Sequence, residues 1–496
     1  MDLFADSDDE GGVATLAQTS TNLSSSTPNI APVKRSAQDD VAVEGEGDSE
    51  GSVKKARVDS DNEKSPATKA KLKAAGNAVL TRCKIFIKQL AGETAIELRS
   101  EVKREDLAQK LEDARDALLK GDIDECLEKA DQVQQASWNA MVSDRSVAHR
   151  CWKEAYVLAR TMMSAAYLVN GDEKRSVENA DLAFILGAPK QEVNLIFRLV
   201  APLAPEVDTT EVKGIMLPNR TAVEAMGFDI KELCERLSPG AKIEPLQGDA
   251  EILENPSLET LSKACLPGDN GRGVHIKGMV DSWPALEEWC KLEFFMAKYG
   301  NRQVPVEFGS RLETMKEKVV SMSEFLTKSI APRCKPDAGE CENVAYLAQH
   351  KLLEQFPDLL RMAPMPNFCT YQGADCEASS VWFGTDQTVT LLHYDSYDNF
   401  LIQVTGAKYV VLFNGDQFEE IYVTKGGKGG DAFLSQGNTS AVDVGNPDLE
   451  KFPKYANAVG KCVLLMPGDS LYIPQGMWHY VRSLTPSLSV NFWFSR

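Results

Sequence analysis

Residues 389–413 read VTLLHYDSYDNFLIQVTGAKYVVLF. Two apolar, β-branched runs are separated by a polar turn, which is the pattern of paired strands with at least one buried face. Polar groups interrupt the pattern where a buried strand should carry none. His393 and Asp395 stand two residues apart, so on an extended strand they face the same way. Asn399 has the same parity as Asp395. Lys408 opens the second apolar run. A second stretch, MPGDSLYIPQGMWHYV (466–481), repeats the design. Leu471–Ile473 reads as a strand, Pro474-Gln475-Gly476 as a turn, and His479 begins the next strand.

A His-x-Asp pair followed about eighty residues later by a histidine has the spacing of a 2-His-1-carboxylate facial triad on a double-stranded β-helix. Three ligands on one face of an octahedron leave three positions open. That suits Fe(II) with a bidentate cosubstrate and O₂. The lysine then has a purpose. If 2-oxoglutarate chelates the metal through its 1-carboxylate and keto oxygen, its far carboxylate is buried and needs a cation. Lys408, on what reads as a neighbouring strand, is the candidate, with Thr390 and Tyr346 supplying hydroxyls and Asn399 lining the same cavity. The competing reading of Lys408 is an edge lysine that snorkels to water. Asn399 can equally be a turn residue. Trp382 and Trp493 fit either a pocket wall or a barrel core. His149, His275 and His350 lack a partner at ligand spacing and read as structural.

The 496 residues allow one to three domains. Lys and Arg total 54 against 73 Asp and Glu, a net charge of −19. That argues against direct nucleic-acid binding and is compatible with a basic protein partner. Eleven cysteines, without a CxxC pair, no secretory leader and no long apolar run point to a reducing, soluble compartment. No membrane association is expected.

Residues 1–66 hold 14 acidic and 6 basic residues and few aromatics, and are expected to be disordered. PVKR (32–35) and VKKARV (53–58) within them fit nuclear-import clusters, so the nucleus, with the cytoplasm as a further location, is expected. Residues 67–240 show helical spacing with breaks at Gly121-Asp122 and Asn170-Gly171, as in a helical-hairpin array suited to holding a protein partner. From 241 onward short β-like runs dominate: GVHIKGMV, RQVPVEFGS, NFCTYQ and SVWFGT, with helical insertions at PALEEWCKLEFFMAKYG and SMSEFLTKSI. The expected class is α+β: a helical-hairpin domain, then a jelly-roll, cupin-like domain over 241–496.

GVHIKGMVDSWPALEEW, GNRQVPVEFGSR, YLAQHKLLEQFPDL, HYDSYDNFLIQVTGAKYVVLF, NTSAVDVGNPDLEKFPKYA and IPQGMWHYVRSLTPSLSVNFWFS together resemble the JmjC (jumonji C) family of Fe(II)/2-oxoglutarate oxygenases, over roughly residues 250–496. The resemblance implies His393, Asp395 and His479 as iron ligands. It implies Lys408, Tyr346, Thr390 and Asn399 as the 2-oxoglutarate site. Glu307, Trp382 and Trp493 fall where the family lines its substrate cavity, and a carboxylate at Glu307 would suit a guanidinium. Leu312 replaces an expected aromatic, and TKGGKGGDA (424–432) lengthens a loop. The implied reaction couples oxidative decarboxylation of 2-oxoglutarate, to succinate and CO₂, to hydroxylation of a substrate C–H. A side-chain methylene would give a stable alcohol. An N-methyl would give formaldehyde and a histone-tail demethylase. The reading from another class is a non-catalytic cupin-like module that docks basic tails.

Overall fold

The computed structural model describes residues 66–143, 150–187, 207–248, 251–265, 272–309, 316–335, 338–339, 341, 343–423 and 438–495. The import clusters, His149, Leu312 and the 424–432 insertion lie outside the described residues, as does the acidic tail apart from Pro66.

Five helices open the described chain: α1 (Pro66–Ser100), α2 (Glu105–Lys120), α3 (Ile123–Ser143), α4 (Arg150–Val169) and α5 (Glu173–Ile185). Their breaks fall where the sequence places them. Gly121 takes a left-handed conformation at the end of α2, and its N–H caps the Leu118 carbonyl. Asp172 caps α5 by accepting from the Arg175 N–H. Small residues let the helices approach: Ala91, Ala108, Ala114, Ala130, Ala155 and Ala159 are all fully buried in one core. No described helix is long and apolar enough to cross a membrane. Residues beyond α5 pack elsewhere. Val212 and Leu217 join the largest core of the β half, and Leu233 and Leu237 join another.

Fourteen strands follow among the described residues. They are β1 (Lys242–Pro245), β2 (Ile252–Glu254), β3 (Val274–Lys277), β4 (Gln303–Phe308), β5 (Lys316–Ser321), β6 (Ala345–His350) and β7 (Asp375–Gly384). Then come β8 (Val389–Tyr394), β9 (Asp398–Thr405), β10 (Lys408–Phe413), β11 (Val459–Leu465), β12 (Ser470–Ile473), β13 (Trp478–Ser483) and β14 (Ser487–Ser495). They form two sheets, in orders β1-β11-β10-β13-β8 and β2-β3-β12-β9-β14-β7-β6-β4-β5. From β7 to β14 the chain switches repeatedly between the sheets, which is the winding of a double-stranded β-helix. Every residue of β10 is buried, as a central strand between two cores requires.

Three readings need correction. NFCTYQ is a 3₁₀ helix (Asn367–Gly373), not a strand. Pro364 and Pro366 block a ladder there, and Phe368 stacks with Tyr371 at 6.3 Å, the i, i+3 spacing of that helix. Asp395 lies just past the end of β8 rather than within it. Lys408 is not on a strand adjacent to β8, because β13 lies between β8 and β10. His275 and His350 are structural as expected. The first sits 3.0 Å from the buried Asp469 carboxylate, and the second hydrogen-bonds Gln355 at 2.6 Å.

Candidate active site

β8 and β13 run antiparallel with His393 directly opposite His479. Their ring centroids are 4.2 Å apart. Each ring is oriented by its own strand: His393 Nδ1 lies 2.8 Å from the Leu391 carbonyl and His479 Nδ1 lies 3.1 Å from that of Met477. A carbonyl can only accept, so each Nδ1 carries the proton and each Nε2 keeps its lone pair. Both Nε2 atoms turn toward Asp395, at 3.6 Å from Oδ1 (His393) and 3.6 Å from Oδ2 (His479). The three side chains can each offer one atom to a common metal ion.

Several groups fix the carboxylate. The Gly476 N–H donates to the Asp395 carbonyl at 3.0 Å, tying the residue to the Pro-Gln-Gly turn before His479. Oδ2 accepts from Asn399 Nδ2 at 3.1 Å and from Trp493 Nε1 at 2.8 Å. Asn399 Oδ1 in turn accepts from Asn491 Nδ2 at 2.6 Å, which forces the Asn399 amide to present its NH₂ to Asp395. Burial pushes the Asp395 carboxyl up, but His479, His393 and these hydrogen bonds outweigh it and hold it below the usual range. Burial and the neighbouring His393 drop His479 to about 4. A divalent metal at this group requires the carboxylate and both imidazole lone pairs, and the Nδ1–carbonyl bonds leave each Nε2 to supply one.

Lys408 is 1% exposed. No carboxylate pairs with it among the described residues. Its ammonium donates to the Tyr346 hydroxyl at 3.4 Å and lies 5.6 Å from that ring's centroid. Burial lowers it to about 7. Burial pushes the Tyr346 phenol up, and the neighbouring Thr390 hydroxyl works the other way. Tyr346 fits because Gly384, paired with it across β6 and β7, has no side chain: a Cβ there would lie 2.7 Å from the Tyr346 ring. A buried, unneutralised cation beside two hydroxyls has the donors that the far carboxylate of 2-oxoglutarate needs, and the His-Asp-His group has the donors that Fe(II) needs. Both cofactors fit the residues present.

The remaining candidates surround this core. Trp382 packs against Tyr346 at 5.7 Å, and its indole N–H is buried without a partner among the described residues. Trp493 belongs to the metal group through its bond to Asp395, beyond any part in a cavity wall. Glu307 is half-buried on β4, beside Tyr346 on β6 and opposite Glu317 on β5. Burial and Glu317 raise its carboxyl to about 7. Asn491 was missed from sequence. Its signal is an amide between Val490 and the apolar run Phe492–Phe494 of a buried strand.

Residues 270–496 match the cupin-like domain family. JmjC domain-containing protein F of Dictyostelium discoideum is 30% identical, over 73% of this chain and 86% of that protein. Lysine-specific demethylase 8 of Danio rerio is 30% identical, over 78% of this chain and 92% of that one. The match to Jumonji C domain-containing protein 5 of Drosophila melanogaster is 34% identical over 50% of this chain and 60% of the fly protein. This chain belongs to the JmjC family. It is a 2-oxoglutarate-dependent dioxygenase, and the family implies Fe(II) and 2-oxoglutarate as its cofactors.

Two outcomes follow from the geometry. Trp493→Phe keeps the packing but removes the donor on Asp395 Oδ2. Metal affinity, read by competition with a chromogenic indicator, should fall about tenfold. Lys408 alone loses its charge above about 7, and a carboxylate binds the ammonium form. Calorimetric 2-oxoglutarate affinity should therefore fall as pH rises above 7, by up to about tenfold per unit. Lys408→Met should abolish that slope and weaken binding about a hundredfold.

Proposed function

We propose that this oxygenase hydroxylates an arginyl side chain of a protein substrate. In this reading His393, Asp395 and His479 hold Fe(II). Lys408, Tyr346 and Thr390 hold the far carboxylate of 2-oxoglutarate, and Asn399 keeps Asp395 turned toward the metal. Iron with 2-oxoglutarate and O₂ supplies the oxidising equivalent that hydroxylates a C–H bond, yielding succinate and CO₂. The protein holds the substrate carbon near the metal and excludes water.

The observation that carries the choice of substrate is Glu307. It is a half-buried carboxyl with no cation paired to it among the described residues, on the strand beside Tyr346. A guanidinium stays charged at any physiological pH and offers a planar fork of donors, so it can meet both carboxylate oxygens. A trimethyl-lysine offers no N–H at all. Trp382 and Tyr346 would stack along the aliphatic and planar parts of the side chain. The net charge of −19 favours a basic protein partner.

The second reading is a histone methyl-lysine demethylase. It is favoured by the names of relatives in Danio rerio and Arabidopsis thaliana, both lysine-specific demethylases. The aromatic pair Tyr346 and Trp382 is compatible with a methylated ammonium. The reading as a non-catalytic tail-binding module leaves the convergent His-Asp-His group and the buried Lys408 without a purpose. A nuclear location and a protein partner for the helical half remain part of the proposal.

The test is mass spectrometry of peptides incubated with protein, Fe(II), ascorbate and 2-oxoglutarate. Unmodified arginine peptides should gain one oxygen, and His393→Ala should abolish the gain. Loss of methyl groups from methyl-lysine histone tails, with formaldehyde and no oxidised arginine, would overturn the assignment in favour of demethylation. If 2-oxoglutarate is not consumed with either, the oxygenase reading of this site fails.

A further inference from the structure

The strand bearing Glu307 has few sheet partners on its inner side. β4 and β5 form the outer edge of the larger sheet, in the order β7-β6-β4-β5. Among the described residues, β4 joins β6 through Glu307 opposite Tyr346 and Phe308 opposite Ala345, extended by the Gly309 N–H to the Val344 carbonyl at 2.9 Å. The ladder does not reach Gln303–Val306. An edge held by so short a ladder is marginal on its own.

On the side away from β5, the start of β4 is held by a helix instead. Asp181 on α5 is fully buried. It accepts from Arg302 Nε at 2.9 Å and from the other guanidinium donor at 2.7 Å. It accepts from the Gln303 backbone N–H at 2.9 Å and from Gln355 Nε2 at 2.7 Å. Gln355 also donates to the Gln303 carbonyl at 2.9 Å, and its carbonyl end meets His350, the last residue of β6, at 2.6 Å. The Arg302 guanidinium lies 4.5 Å over the Phe356 ring. Both backbone groups of Gln303, which a neighbouring strand would normally satisfy, are met by Asp181 and Gln355. The hydrogen-bonded path therefore runs from α5 to the start of β4 and the end of β6.

We infer that Asp181 is a positioning residue for the substrate wall: through Arg302, Gln303 and Gln355 it keeps the strand of Glu307 seated against the strand of Tyr346. The helical half thereby sets how long Glu307 resides beside the site. This rests on the reading of Glu307 as a substrate acceptor. Lys408, Thr390, Asn399 and the His-Asp-His group sit on other strands, and Tyr346, opposite Glu307 on β6, is the one 2-oxoglutarate residue on the latched pair, so cofactor binding should depend on the latch less than substrate binding does.

The test uses the full chain and the double variant Asp181→Asn/Arg302→Gln, which removes both buried charges together and leaves neither unpaired. A second variant, Gln355→Met, breaks the same path without touching a charge. Amide hydrogen exchange, followed by mass spectrometry, should rise about tenfold or more over 303–308 and 345–350 and change less than about twofold over β8, β10 and β13. Affinity for an arginine peptide, by fluorescence anisotropy with Mn(II) and 2-oxoglutarate but no turnover, should fall at least about fivefold. The affinity for 2-oxoglutarate, which meets the loosened strands only through Tyr346, should fall less than that for the peptide. Exchange that rises evenly over the whole chain, or not at all in β4, would overturn the inference. If the wild-type chain binds no arginine peptide, the proposed substrate fails, while the exchange pattern still decides the latch.

Discussion

His393 faces His479 across an antiparallel ladder, and the rest of the site is built on that register. A slip of one residue would turn both rings to the opposite faces of their strands. The turn at Pro474-Gln475-Gly476 helps to fix it, because the Gly476 N–H reaches back to the Asp395 carbonyl. One short segment thus places the second histidine and the carboxylate together. A second line of restraint, from Asn491 through Asn399 to Asp395, sets the carboxylate's rotation. Ligand groups brought this close repel one another or desolvate one another unless a metal joins them, so the fold holds open an arrangement that only a bound cation fully satisfies.

The same logic governs the buried charges elsewhere. Asp469, fully buried, is met by Arg220 at 2.9 Å and by His275 at 3.0 Å. Asp181 is met by Arg302 and by neutral donors around it. Each of these is a closed network, in which burial is offset by partners. Lys408 differs. It is as deeply buried, yet among the described residues its ammonium hydrogen-bonds only the Tyr346 hydroxyl. Two closed networks staple the scaffold, and one open one sits at the candidate 2-oxoglutarate site. That contrast separates structural charge from charge awaiting an anion.

Much of this was legible from residue order because strand periodicity and ligand chemistry are both local. His393, Asp395 and His479 follow from a two-residue spacing and a downstream histidine after a turn. Lys408 follows from a cation at the head of a wholly apolar run. What stayed hidden depends on pairing between distant segments. Nothing near Asp181 says that its partner is Arg302, 121 positions away. Asn491 gains meaning only once β14 lies beside β9. The 3₁₀ segment at 367–373 looked like a strand because its apolar content is the same in either conformation, and its flanking prolines were the overlooked cue. The placement of β13 between β8 and β10 is a matter of sheet order, which spacing along the chain does not encode.

The most direct measurement is an anaerobic calorimetric titration of 2-oxoglutarate into the protein with and without one equivalent of Fe(II). The account predicts a single binding event per chain that requires the metal and is lost in Asp395→Ala. Equal affinity with and without the metal, or in Asp395→Ala, would contradict the claim that the His-Asp-His group and the Lys408 pocket form one site.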